Sequence, residues 1–157
     1  MRQKSVLKLL AIMFLILGTG FSPVFAQSDA QQNVEVIKTA TSADGTAINY
    51  YEHGQEGPVL VFVHGWSCDA SYWREQVEYF KHKYHMVLID LAGHGRSGSE
   101  RENYTMEAFG QDVKAVVESV GAEKVVLIGH SMGALVIADA ARLMPEKVIG
   151  LVAVDDL

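Results

Sequence analysis

From residue 34 onward the apolar positions of the chain change rhythm in a regular way. Val34, Val36 and Ile37 lie in a run that ends at Thr41, and Thr46 to Glu52 alternates, with Ile48 and Tyr50 on one face. Ser42-Ala43-Asp44-Gly45 between them has turn composition, with Asp-Gly as the hairpin signal. Together they predict an antiparallel hairpin at the edge of a sheet. Val59 to Val63 is an unbroken apolar run, the pattern of a strand covered on both faces. A helix follows over about Ala70 to His82, with Trp73, Val77 and Phe80 on one side, and then a second buried strand over Tyr84 to Ile89. Thr105 is a candidate N-cap for a helix whose stripe is Met106, Phe109, Val113, Val116, Val117 and Val120, and Gly121 stops it. Lys124 to Ile128 is the next strand, Met132 to Leu143 an alanine-rich helix ended by Pro145, and Lys147 to Val154 another apolar strand.

Strands that alternate with single helices require crossover connections, so the sheet is mostly parallel. The fold class is α/β: a mostly parallel sheet with an antiparallel N-terminal hairpin and flanking helices. Sites on such sheets gather at the carboxyl ends of the strands. Three segments rich in glycine and polar side chains fall there: His64-Gly65-Trp66, the turn from Asp90 to Gly98, and the turn at Ser131.

The first stretch has a different pattern. Arg2, Lys4 and Lys8 precede an apolar core from Leu9 to Leu17, and Val24-Phe25-Ala26 puts small residues where a signal peptidase needs them. Residues 1–26 read as a secretory signal peptide cut after Ala26, and 27–33 as a polar linker. The alternative, an uncleaved anchor, meets Gly18, Gly20 and Pro23 within a run that is short for a span. The expected location is secreted or periplasmic, with no stable membrane anchor after cleavage.

Composition narrows the picture further. The net charge of −6 and the lack of a basic stripe argue against a nucleic-acid partner. Cys68 is the single cysteine, so no intrachain disulfide forms, and the six histidines show no metal-ligand spacing. No metal or cofactor is expected. A nucleotide-binding reading lacks both a G-x-G-x-x-G after the first parallel strand and a G-K-[ST].

The candidate chemistry centres on Val125-Val126-Leu127-Ile128-Gly129-His130-Ser131-Met132-Gly133. An apolar strand runs into G-x-S-x-G, and a helix starts at once, the sequence form of a nucleophile elbow. By itself the motif is common; its position between strand and helix gives it weight. Gly129 and Gly133 suit a turn where strand and helix approach closely. The first N–H groups of the helix lack internal partners and can receive an oxyanion.

Taken in order, H-G-W at residues 64–66, D-L-A-G-H-G-R-S at 90–97 and G-H-S-M-G at 129–133 resemble the α/β-hydrolase family over the chain from about Val34 to its end. The resemblance implies that Ser131 is the nucleophile and that the backbone N–H groups of Trp66 and Met132 form the oxyanion hole. One such donor is worth about 2.7–4 kcal/mol in a measured serine hydrolase. The side chains of Trp66 and Met132 would then shape the pocket. His64 reads as a structural histidine bonded to loop backbone below the oxyanion hole. His94 and Arg96 belong to the tight turn, Asp90 bonds backbone N–H groups of that turn, and Cys68 is a buried or half-buried loop thiol. His130 diverges from the serine hydroxyl.

A hydrolase of this family needs an acid and then a histidine after its serine. No histidine follows Ser131, and Asp155, or Asp156 beside it, is the candidate acid at the end of the last strand. The family fold continues with further strands, a lid and the loop that carries the base. The sequence therefore reads as a fragment of a longer protein or as a truncated product without its base, inactive in this form. The expected activity of the parent is hydrolysis of a small-molecule ester or similar acyl bond through an acyl-enzyme. Serine rather than aspartate at the nucleophile position sets it apart from the haloalkane dehalogenases and epoxide hydrolases that resemble this fold. The alternative is a non-catalytic, receptor-like or binding member of the same fold.

Overall fold

The computed structural model describes residues 36–154. The expected signal peptide, the linker, Val34, Asp155 and Asp156 lie outside the described residues.

Six strands form one sheet: β1 (Ile37–Thr41), β2 (Ala47–His53), β3 (Val59–Val63), β4 (His85–Ile89), β5 (Val125–His130) and β6 (Val148–Val154). Their spatial order is β1-β2-β4-β3-β5-β6. β1 and β2 form the expected antiparallel hairpin at one edge. β2 also pairs antiparallel with β4, whereas β3 pairs parallel with both β4 and β5, and β5 with β6. The middle of the sheet is thus the run of apolar strands β4, β3 and β5, in register with Val61 beside Val87 and Leu127.

The two-residue alternation of the strands splits the core into two layers. Val61, Val63, Val87, Ile89, Val125 and Leu127 face α2 (Met106–Val120) and α3 (Met132–Leu143), where they meet Phe109, Val113, Val116 and Ile137. On the opposite face Leu60, Phe62, Met86 and Leu88 pack against Trp73 and Val77. The expected helix over Ala70 to His82 is two shorter pieces, a 3-10 turn (Ala70–Trp73) and α1 (Arg74–Phe80). Asp69 caps the first piece by accepting from the Ser71 N–H, and the chain then turns at residues 81–84 to enter β4. At α2 the sequence reading holds at both ends. The Thr105 hydroxyl accepts from the Ala108 N–H, and Gly121 takes the left-handed conformation at φ 72°.

One buried ion pair ties distant parts of the chain together. The Arg101 guanidinium donates to both oxygens of Asp112, at 2.5 and 3.1 Å, and both side chains are buried. Asp112 also accepts from the Ser42 hydroxyl at 2.6 Å and from the Ala92 N–H at 3.3 Å. The hairpin turn, the end of β4, the loop before α2 and α2 itself thus share one charged centre.

β6 lies at the sheet edge opposite the hairpin. Ile149, Leu151 and Val152 on it are exposed, as is Leu135 on α3. Among the described residues no helix is long and apolar enough to cross a membrane.

Candidate active site

Three strand ends meet at the carboxyl edge of the sheet. β5 turns into α3 through Ser131, whose φ of 51° and ψ of −118° lie far from ordinary helix or strand values. A non-glycine residue at such an angle is strained by about 1–3 kcal/mol, and strain of this kind gathers at functional sites. The turn is forced by contact on both sides. A Cβ on Gly129 would run into the Gly133 backbone, and a Cβ on Gly133 would run into the carbonyls of Val63 and His64. Ser131 itself is exposed. Its N–H donates to the Val154 carbonyl at 3.1 Å, and its carbonyl accepts from the Ala134 N–H at 2.8 Å to start α3.

The loop after β3 lies against this turn: a Cβ on Gly65 would sit 3.3 Å from the Ser131 Cβ and 2.9 Å from His130 Nδ1. His64 is fully buried beneath it. Its Nε2 accepts from the Leu91 N–H at 3.1 Å, so the proton lies on Nδ1, which donates to the Gly65 carbonyl at 2.8 Å. The Cys68 N–H donates to the same carbonyl at 3.2 Å. A trans peptide points its C=O and N–H in opposite directions. Holding the Gly65 carbonyl therefore holds the Trp66 N–H as well, on the other edge of the same peptide. Among the described residues neither the Trp66 nor the Met132 N–H donates to a backbone carbonyl. Met132 is the first residue of α3, where helix geometry leaves the N–H without a partner and the helix dipole favours negative charge. Two N–H groups thus stay available next to the Ser131 turn.

Electrostatics keeps the supporting histidine neutral. Burial is the main cause that lowers the His64 pKa below its ordinary 6.5, and the nearby His94 adds to it. Protonation at Nε2 would also break the bond from Leu91, since two donors would face each other.

Asp90 does more than the sequence reading expects. It accepts from the Arg96 N–H of its own turn at 2.9 Å, but also from the Ala70 N–H at 2.8 Å and the Tyr51 hydroxyl at 3.1 Å. It therefore fixes the glycine-rich turn to β2 and to the start of the 3-10 turn. His94 and Arg96 sit in that turn, and Cys68 is half-buried. The His130 ring turns away to stack on Tyr72 at 4.4 Å. Asp155 lies outside the described residues, directly after Val154.

The sequence reading did not single out Ser67, Tyr72 or Tyr104. Ser67 follows Trp66 with a φ of 57°, a second strained position, in the loop after β3. Tyr72 and Tyr104 reach the site across long sequence distances and carry no local motif. A hollow of about 760 Å³ lies elsewhere, between β2, the 3-10 turn and α1, and neither Ser131, Trp66 nor Met132 lines it. Among the described residues no three His, Cys, Asp or Glu side chains gather to hold a metal ion.

A mostly parallel sheet whose strand β5 turns through a strained serine into a helix, beside a glycine loop that offers a second N–H, defines an α/β-hydrolase fold. The family model described as alpha/beta hydrolase fold matches residues 58–156, and the chain belongs to that family. It is 37% identical over 119 residues to a non-heme chloroperoxidase of Streptomyces lividans, covering 74% of this chain and 43% of that protein. It is 32% identical over 114 residues to human epoxide hydrolase 4, covering 71% of this chain and 32% of that one. Among solved structures, the esterase RhEst1 from Rhodococcus sp. ECU1013 superposes with a TM-score of 0.72 at 35% identity, covering 77% of this chain and 46% of the esterase. The relatives are esterases, hydrolases and haloperoxidases of this fold, and the chain spans less than half the length of each of these three.

Two consequences can be measured. Ser131→Gly relieves the backbone strain at the cost of glycine's extra chain entropy, leaving a net gain of about 1 kcal/mol. The denaturation midpoint is expected to rise for Ser131→Gly and not for Ser131→Ala; equal midpoints would count against the strain. The second concerns pH. The folded pKa of His64 lies below its unfolded value, so the stability tied to its neutral form is complete above about pH 6.5 and is lost as the pH falls toward the folded value. Unfolding midpoints are expected to drop between about pH 6.5 and pH 5, above the range where carboxylates titrate. His64→Gln should flatten that drop, and an unchanged slope in the variant would assign the effect elsewhere.

Proposed function

We propose that Ser131 is the nucleophile of a serine hydrolase acting on ester or similar acyl bonds of small molecules. The observation that carries this reading is the pairing of an exposed, strained serine with two peptide N–H groups, Trp66 and Met132, that donate to no backbone carbonyl among the described residues. In the proposed reaction the Ser131 Oγ adds to the substrate carbonyl carbon while a base takes its proton. The carbonyl oxygen becomes an oxyanion between the two N–H groups, and the alcohol leaves with the proton returned to it. Water then adds to the acyl-enzyme through the same oxyanion and releases the acid. His64 does not serve as the base, because both of its ring nitrogens are occupied beneath the loop.

The base and the rest of the triad belong, in this reading, to a longer protein. Support comes from the lack of a histidine after Ser131 and from the relatives' greater length. Asp155 is the proposed acid: it follows Val154, whose carbonyl accepts from the Ser131 N–H, so the backbone leaves β6 beside the nucleophile. The similarity to an epoxide hydrolase does not extend the proposal to epoxides, since a serine stands at the nucleophile position. The second reading, a binding member of the fold without turnover, is favoured only by the lack of a histidine after Ser131. We also propose export, with a leader cut after Ala26; intact mass of the secreted product should begin at Gln27, and a retained leader would count against it.

A fluorophosphonate probe tests the nucleophile. The 157-residue chain is expected to label no faster than its Ser131→Ala variant. A longer product of the same reading frame that supplies a histidine is expected to label, and to lose labelling in the variant. Serine-dependent labelling of the short chain would overturn its inactivity. A longer product with no serine-dependent labelling would overturn the enzyme reading.

A further inference from the structure

A second hollow, about 280 Å³, opens beside the oxyanion loop. Trp66, Ser67, Gly93, His94, Ser99 and Tyr104 line it. It shares one residue with the candidate site: the N–H of Trp66 is the proposed oxyanion donor, and its indole, 65% exposed, forms a wall of the hollow.

The walls are aromatic and held in place. The Trp66 and His94 rings meet edge to face at 5.2 Å. His94 is fixed by a 3.0 Å hydrogen bond between its Nδ1 and the Ala92 carbonyl. Tyr104 closes the other side. Its hydroxyl donates to the Ser99 carbonyl at 2.8 Å, its ring lies against Phe109 at 6.0 Å, and the Arg101 guanidinium sits 5.8 Å from the ring centre. Arg101 is itself locked by the buried Asp112, so the aromatic wall rests on the charged centre of the fold. Gly93 leaves room for this approach, since a Cβ there would meet the Tyr104 ring at 2.9 Å.

The chemistry of the lining selects a ligand. No Asp, Glu, Lys or Arg side chain lines the hollow, and its polar side-chain groups are two serine hydroxyls, one imidazole, the Trp66 indole N–H and the Tyr104 hydroxyl, which is taken by the Ser99 carbonyl. Ionised groups would find no counter-charge, and aromatic faces and edges favour a flat ring. An engineered cavity of about 150 Å³ admits benzene, so a hollow of about 280 Å³ has room for one substituted aromatic ring.

We propose that this hollow is a subsite for an uncharged aryl substituent on the carbonyl that Ser131 attacks, with Trp66 and Tyr104 as the residues that set specificity. The inference rests on the acyl-transfer reading of Ser131 for its place in a reaction; the binding event itself does not need turnover. The substrate class is therefore an ester or related acyl compound carrying a neutral aromatic ring next to the reacting carbonyl.

The test is equilibrium binding of 4-fluorobenzamide to the 157-residue chain, read by fluorine NMR, with cyclohexanecarboxamide as a non-aromatic competitor. Saturable binding is expected, weakened at least fivefold by Tyr104→Ala and by Ser99→Leu, which fills the hollow without removing a wall. Tyr79→Ala, on the exposed side of α1, serves as the control and should bind as the parent does. The saturated amide should compete at least fivefold less well than unlabelled benzamide. No saturable binding, binding insensitive to Ser99→Leu, or equal competition by the saturated ring would each overturn the subsite. A chain that binds the aryl amide as described, in a protein whose longer form never labels at Ser131, would keep the subsite and remove the hydrolase reading instead.

Discussion

The close approach of three backbones around Gly129, Gly133 and Gly65 is the constraint on which the site depends. The end of β5, the first turn of α3 and the loop after β3 come so near that a single methyl group at Gly129 or Gly133 would meet backbone atoms. Backbone cannot yield as a flexible side chain does, so these contacts set the spacing between the strand ends. That spacing leaves Ser131 in a strained conformation and presses Gly65 against it. Tight packing of interiors makes such an arrangement rigid, so the Ser131 turn and the Gly65–Trp66 peptide are held in fixed relation to each other.

The second dependence runs through a single peptide. The Gly65 carbonyl takes hydrogen bonds from His64 and Cys68 on one edge, and the Trp66 N–H therefore faces the other way. His64 can act in this manner only while neutral, because one ring nitrogen must accept from Leu91 as the other donates. Burial supplies that condition by penalising the charged form. The histidine in the H-G-W segment thus orients a peptide N–H beside the Ser131 turn through the backbone alone. Asp90 does similar work one strand over, where its carboxylate gathers N–H and O–H donors from three parts of the chain.

Much of this was legible in the sequence because it is encoded locally. Apolar runs at β3 and β5, the N-cap at Thr105, the stop at Gly121 and the limits of α3 from Met132 to Leu143 all follow from adjacent residues. The strand order was not legible. Nothing in the residues of β2 says that it pairs with β4 rather than with β3, which follows it, because pairing is decided by which edges remain after the crossovers form. The split of the expected helix at Trp73 was hidden for a related reason: Asp90, twenty residues away, accepts from the Ala70 N–H and fixes the first turn in place. Tyr104 and Ser67 escaped notice because their roles come from a left-handed angle and from long-range ring contacts, neither of which has a motif.

β6 joins stability to chemistry. Its residues are apolar on both faces, the pattern of a strand meant to be covered twice, yet Ile149, Leu151 and Val152 are exposed and one edge has no neighbour among the described residues. An open apolar edge is a template for pairing with another strand. The same strand ends at Val154, whose carbonyl holds the Ser131 N–H. A polypeptide that covers this edge therefore starts out beside the candidate nucleophile, and a base must come within hydrogen-bonding reach of its hydroxyl to activate it. Packing at the β6 edge and the placement of the Ser131 turn are thus linked through one hydrogen bond, so a substitution that shifts the end of β6 shifts the strained turn with it.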